Sequence, residues 1–325
     1  MTSGRINIGV LGCSDIARRR FLPALVRAGN AHLAAIASRS RSRVQGFLAG
    51  VPYDALEYDE LLAAGNVDLV YISVPNHLHE AWVIRALERG KHVICEKPLG
   101  LTVASVERMI AAARKNKRLL RENLAYLHHP AHAAVKEIVH NGAIGAVRAV
   151  RAAFRFTFSG GGFRAEPAQG GGSFHDQARY PMSAALFHLR GFPERFAGCA
   201  DMRGDLNVGL QACGITTVHE GIFCSIGFEH PYECWYELLG SEGTIRIDRA
   251  FTTPADQPVR VRIARGRETL DLTIPPADHF QLMIEHTAGL LLQGSPFDDL
   301  LDDAARLAQA ADLLWRDSVP VHLEN

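Results

Sequence analysis

Over roughly the first 120 residues, short apolar runs alternate with segments of helical periodicity, and no other feature of the chain constrains its fold as strongly. Ile6 to Leu11 reads as a buried strand, and residues 15–28 follow with helical spacing of Ile16, Leu22, Leu25 and Val26. His32 to Ala37 reads as a second strand, with short helices expected around 41–49 and 59–64. Asp68 to Val74 is the strongest strand in the chain, and a helix at 78–89 stops at Gly90. His92 to Cys95, a helix at 103–116 capped by Thr102, and Leu119 to Glu122 complete the series. Such alternation predicts α/β architecture, a parallel sheet covered on both faces.

Beyond residue 122 the pattern changes. Helices are expected at 131–141 and 174–189, with strand-like text at 146–158 and a Gly-rich loop at 159–172 between them. The chain then reads as mostly β from about 195 to 274, with strands at 207–218, 221–229, 233–239, 244–248, 259–264 and 269–274. Helices at 277–293 and 299–316 close it. The expectation is two domains: 1–122 with a parallel sheet, and 123–325 of α+β type with an open, mostly antiparallel sheet.

Charge argues about partners. Lys+Arg and Asp+Glu are both 35, and the basic excess typical of nucleic-acid binders is missing. The run Arg18-Arg19-Arg20 reads as a solvated helix face. Neither a leader pattern nor an apolar run of membrane-spanning length is visible, so a cytoplasmic protein with free thiols at its six cysteines is expected. The cysteines show no metal-ligand spacing, and His128 and His132 are separated by Pro130, so no metal is expected.

Chemistry enters at the first strand-to-helix turn, Gly12-Cys13-Ser14-Asp15-Ile16-Ala17. Placed on the dinucleotide fingerprint, Gly12 allows the tight turn, Ser14 lets the backbone approach a pyrophosphate, and Ala17 lets helix and strand pack closely. Free N–H groups at the helix start complement phosphate charge. The second strand ends in Ser38-Arg39-Ser40, where NAD-binding chains carry an acid for the ribose hydroxyl. A guanidinium and hydroxyls suit a 2′-phosphate instead, so NADP(H) is the expected cofactor. Glu96-Lys97-Pro98 follows a strand directly, at the sheet end where ligands bind.

The motif strand–GCSDIA–helix, Val74-Pro75-Asn76-His77-Leu78-His79 and Glu96-Lys97-Pro98 together resemble the glucose-fructose oxidoreductase/inositol dehydrogenase/MocA family, over essentially the whole chain. The resemblance implies that Lys97 contacts cofactor and substrate. It implies too that a second-domain Tyr or His in an Asp-x-x-x-Tyr/His motif exchanges the proton, here Asp176 and Tyr180, with i, i+4 spacing on one helical face. Asn123 and His128-His129-Pro130 match a further segment, and His79 falls at the cleft edge. His175 is a competing acid about 100° around the helix.

Cofactor contacts are therefore expected from Gly12 to Ile16, Ser38 to Ser40, Val74 to Asn76, His79, Glu96, Lys97 and Asn123, and substrate contacts from Lys97, His128, Asp176 and Tyr180. Features around Arg18-Arg19-Arg20 and Glu122-Asn123-Leu124 resemble nucleotide-sugar 3-ketoreductases, which reduce a keto group on a TDP-linked 6-deoxyhexose with NADPH. Arg164, Arg179 and Lys136 are candidates for the substrate diphosphate. A dehydrogenase of a free sugar, polyol or cyclitol and a non-catalytic dinucleotide-binding regulator are the alternatives. A homodimer or homotetramer is expected from the need to cover the open sheet.

Overall fold

The computed structural model describes residues 4–324. They form two compact units, residues 1–125 with 278–306 and residues 126–277 with 307–325, apart from the undescribed residues at the two ends.

The first unit is built on six parallel strands: β1 (Ile6–Leu11), β2 (Ala31–Ser38), β3 (Asp54–Glu57), β4 (Leu69–Ile72), β5 (His92–Cys95) and β6 (Leu120–Glu122). Their order is β3-β2-β1-β4-β5-β6. All neighbours pair in parallel. The direction of winding reverses between β1 and β4, the switch point at which open α/β sheets bind ligands. Ile8, Val10, Leu11, Leu69, Val70, Tyr71 and Ile72 are buried on both faces, which is why these strands read as unbroken apolar runs.

Three local details go beyond or against the expectations. The helix expected at 15–28 runs from Asp15 to Arg27 and carries a π-helical turn, Ala17–Phe21, within it. The helix expected near 41–49 is only a 3-10 turn, Arg41–Arg43: Val44, Phe47 and Leu48 have helical spacing and pack on the core, but Gly46 stands at φ +73°, outside the helical region. Strand β3 was not foreseen: its four residues, half-buried or exposed, show no apolar run.

The expected division at residue 122/123 is also amended. Helix His279–Gln293 packs with the first unit, where Phe280, Met283, Ile284 and Ala288 join the core of Phe21, Leu22, Leu25 and Leu33. Burying side chains of that size contributes about 1.5–3 kcal/mol each. Arg27 pairs with Asp278, and Asn30 Nδ2 donates to the Glu285 carbonyl (2.8 Å).

The second unit carries nine strands: β7 (Val147–Arg155), β8 (Pro193–Arg203), β9 (Leu206–Thr216), β10 (Gly221–Gly227), β11 (Glu233–Gly240), β12 (Thr244–Asp248), β13 (Val259–Arg265), β14 (Glu268–Ile274) and β15 (Ser318–His322). Their order is β14-β13-β12-β11-β7-β10-β9-β8-β15. The sheet is mixed, mostly antiparallel, with β7–β10 and β8–β15 parallel. Strands β8 and β15 were not assigned from sequence. Along β10, Ile222, Cys224 and Ile226 are buried while Phe223 is 46% exposed, the alternation of a sheet covered on one face. Helices Ser173–Gln177 and Arg179–His188 lie on the covered face; the single helix expected at 174–189 is broken at Ala178.

Candidate active site

In the first unit, the loops after β1, β4, β5 and β6 bring the expected residues to the carboxyl ends of neighbouring strands. Gly12 has φ +111°, and a Cβ there would lie 2.8 Å from the Ser73 carbonyl oxygen. Ser73 Oγ donates to the Gly12 carbonyl (3.1 Å), so the β1 turn and the β4 loop are closed on each other. Ser14 Oγ accepts from the Ala17 amide (3.1 Å), anchoring the start of the helix, and Ile16 already has helical dihedrals. The exposed Asp15 carboxylate pairs with Arg18 (3.2 Å) and Arg19 (3.1 Å), which offsets its charge beside the turn.

Around the end of β2, Ser38 is buried, Arg39 exposed and Ser40 half-buried. Burial pushes the Cys13 thiol up, while the Ser38 side chain and the Arg43 charge pull it down. Burial likewise pushes the Tyr58 phenol up, against the pull of Arg39 and Arg43. Cys13, Ser38, Arg39, Arg43 and Tyr58 thus share one electrostatic neighbourhood. Arg41, between the two arginines, is paired with Glu60 instead. Sequence reading named Arg39 but missed Arg43 and Tyr58; the alternation Arg39, Arg41, Arg43 was the available signal, and only the fold shows which of them share this neighbourhood.

On the other side of the switch point, the Tyr71 hydroxyl donates to Glu96 Oε1 (2.5 Å), and Asn123 Nδ2 donates to the same oxygen (2.6 Å). The Lys97 amide donates to Glu96 Oε2 (3.3 Å). Burial raises the Glu96 pKa, opposed by the Tyr71 and Asn123 hydrogen bonds and the Lys97 charge. Leu99 N–H donates to Glu122 Oε1 (2.9 Å), fixing the far end of this loop.

His79 corrects its expectation. It is fully buried rather than at a cleft edge, with Nδ1 2.8 Å from the Pro98 carbonyl and Nε2 2.9 Å from the Val74 carbonyl. One ring thereby bridges the β4 and β5 loops. Burial lowers its pKa, opposed by both carbonyls. Val74 and Asn76 are buried beside it, Pro75 is half-buried, and His77 is exposed.

These loops fit a dinucleotide on two counts. At Gly12 the φ of +111° and the Ser73 carbonyl oxygen 2.8 Å from a would-be Cβ demand glycine, the residue of the tight turn in a dinucleotide fold, and Asn123 Oδ1 is a buried acceptor with no protein partner. Since Nδ2 must face the Glu96 carboxylate, the orphaned atom is the oxygen, which suits an amide N–H of a ligand.

The second unit holds the remaining candidates. Tyr180, half-buried near the start of its helix, is ringed by Phe154 (centroids 4.8 Å), Phe251 (5.2 Å) and Tyr126 (5.9 Å). Asp176 is buried and its Oδ1 accepts from Arg164 Nε (3.1 Å), a partner that sequence reading did not give it. Gly171 explains that approach: a Cβ there would meet the backbone oxygens of Phe163, Arg164 and Glu166 at 2.6–2.8 Å, so the loop folds tightly back. His175, the competing acid, has its pKa lowered to about 4 by burial and by Arg179. His128 ends a 3-10 turn, half-buried; its neighbour His129 is buried and caps the next helix by accepting the Ala131 amide (3.1 Å). Of the diphosphate candidates, Arg179 is buried and Lys136 sits over the Phe187 ring (4.5 Å). Among the described residues no group of three or more His, Cys, Asp or Glu could hold a metal ion, and no helix is long and apolar enough to cross a membrane.

A six-stranded parallel sheet ordered about a switch point, with a glycine-requiring turn after its first strand, is the architecture of a dinucleotide-binding fold, here joined in one chain to an open mixed sheet. Residues 6–124 match the model of the oxidoreductase family with an NAD-binding Rossmann fold, and residues 132–246 match the GFO/IDH/MocA C-terminal domain. The chain belongs to the GFO/IDH/MocA oxidoreductase family.

It is 37% identical, over 97% of both chains, to a dTDP-3,4-didehydro-2,6-dideoxy-alpha-D-glucose 3-reductase from Streptomyces antibioticus. It is 31% identical, over 85% of this chain and 86% of the other, to a D-xylose 1-dehydrogenase (NADP(+)) from Haloferax volcanii. Among solved structures, KijD10, a 3-ketoreductase from Actinomadura kijaniata in complex with NADP and TDP-benzene, superposes with a TM-score of 0.93 at 34% identity, covering 99% of this chain and 100% of that one. Variants of that enzyme with one lysine or one tyrosine replaced have also been crystallised with both ligands.

Proposed function

We propose that the chain is an NADPH-dependent sugar ketoreductase acting on the 3-keto carbon of a TDP-linked 6-deoxyhexose. What carries the reading is the presence of Lys97 after β5 and of Tyr180 four residues beyond a buried aspartate, in a chain 37% identical from end to end to a dTDP-sugar 3-reductase. NADPH, when bound, supplies the hydride.

The chain's own residues do the rest. The Gly12 turn, with Cys13, Ser14, Asp15 and Ile16, receives the pyrophosphate through backbone N–H groups. Ser38, Arg39 and Ser40, joined by Arg43, hold the 2′-phosphate, which a carboxylate would repel. Val74, Pro75 and Asn76 line the nicotinamide side, with Asn123 Oδ1 as an acceptor; His79 shapes this side from beneath. The Lys97 ammonium stabilises charge developing on the substrate oxygen, and the Tyr180 phenol donates the proton to it. Asp176, with Arg164, and His128 contact the sugar. A homodimer or homotetramer covers the outer face of the nine-stranded sheet around Phe223.

Loss of NADPH absorbance with a TDP-linked 3-keto-6-deoxyhexose, against a panel of free aldoses, polyols and cyclitols with NADP, tests the substrate class. Turnover of the nucleotide-sugar alone is expected. Lys97→Ala and Tyr180→Phe should each lower kcat about 100-fold or more while the fold is retained. Near-normal kcat in both variants would refute their roles. Turnover of a free sugar alone would favour the second reading, a sugar dehydrogenase like the xylose enzyme.

A further inference from the structure

Tyr71 belongs to no expected set of site residues, yet it lies under the Lys97 loop. It is fully buried on β4, and its ring stacks on Phe21 with centroids 3.6 Å apart and planes within 3°. Phe21 is the last residue of the π-helical turn that follows the phosphate cradle. Such turns insert a residue into the helix and change which side chain faces the sheet. The stack fixes the Tyr71 ring, so its hydroxyl reaches Glu96 from a rigid support.

Glu96 is faced by four groups: Tyr71 from β4, Cys95 from β5, Lys97 from its own loop and Asn123 from the end of β6. Two donors converge on Oε1, and Oε2 takes the amide of Lys97. Three adjacent strands are thereby tied at one carboxylate, directly before the lysine. Donors to a carboxylate favour its charged form, so each one lost makes the buried group easier to protonate.

We propose that Tyr71 is a positioning residue for Lys97: braced by Phe21, its hydroxyl holds the Glu96 carboxylate, and through it the backbone that presents the lysine. The catalytic meaning rests on the proposed role of Lys97; the network itself does not.

The test separates the two. In protein labelled at the glutamate side-chain carboxyl, carbon NMR follows the titration of Glu96, assigned by its loss in Glu96→Gln. In Tyr71→Phe, which removes only the hydroxyl, the Glu96 midpoint should rise by about one to two pH units, the size expected of one hydrogen bond to a charged group. Amide exchange at Lys97 and Leu99 should quicken while that of β1 and β2 holds. Phe21→Leu, which keeps the hydroxyl but loosens its support, should give the same changes at smaller size and stands in should Tyr71→Phe misfold. In turnover, kcat should fall at least tenfold with NADPH affinity within about twofold of wild type. A Glu96 midpoint and loop exchange unchanged in the variants would overturn the proposal. Absence of reductase activity in the wild type would instead sink the assignment of Lys97, leaving the carboxyl titration as valid a test as before.

Discussion

Replacing Gly12 by alanine tests the phosphate cradle. Two costs add. At φ +111° a side chain is strained, and holding a non-glycine residue in such a region costs about 1–3 kcal/mol. The new Cβ would also sit 2.8 Å from the Ser73 oxygen and 3.0 Å from its carbonyl carbon, backbone atoms of a strand end that cannot rotate away. Overpacking of this kind costs about 1–3 kcal/mol more. A total near 4 kcal/mol corresponds to a fall in Tm of about 8–16 °C for a unit of this size. Relief by moving the turn would break the Ser73–Gly12 hydrogen bond and displace the amides proposed to receive the pyrophosphate, so NADPH affinity should fall with stability. Thermal unfolding with and without NADPH, alongside fluorescence titration, reads both. Gly29→Ala is the control, since nothing lies within 4 Å of a Cβ there. If Gly12→Ala matched Gly29→Ala in Tm and in NADPH affinity, the cradle argument would be wrong.

Two further outcomes follow from the electrostatics. Arg39→Ala and Arg43→Ala should each weaken NADPH binding about 10- to 100-fold with little change for NADH, whereas Arg41→Ala, already committed to Glu60, should change neither; paired titrations of the three variants decide it. Stability should fall in mild acid. Burial lowers the pKa of His175 to about 4 and of His188 to about 3, so below pH about 6.5 the unfolded chain binds protons that the folded chain refuses until much lower pH. Their stabilisation is complete above that value and lost as pH falls towards 4, with a slope approaching about 2.7 kcal/mol per pH unit; His92, lowered to about 4 but less buried, adds a smaller share. Urea midpoints at pH 7, 6 and 5 should decline, and a flat profile would contradict the burial of these rings.

The chain's local patterning determined a good deal by itself. Apolar runs spaced by helical segments specify parallel strands, because only strands covered on both faces need no polar alternation; the first strand-to-helix turn is legible because a positive φ at Gly12 narrows the choice of residue to glycine. Lys97 could be picked out because Glu96-Lys97-Pro98 directly follows a strand and matches the family's motif. What the sequence did not hold was the outcome of long-range packing. The helix at 279–293 has an apolar stripe, but nothing local says that this stripe belongs with Phe21 and Leu25 rather than with the β-rich unit. His79 looked like a cleft residue until two carbonyls from different loops closed on its ring, and Asp176 acquired Arg164 where the preceding loop folds tightly back on itself at Gly171. Arg43 could be told from Arg41 only once Glu60 had claimed one of them. Local propensity and periodicity act over a few residues and are written in the chain. Which charges and rings end up facing one another is settled by contacts between segments tens to hundreds of residues apart, and only the folded structure decides those.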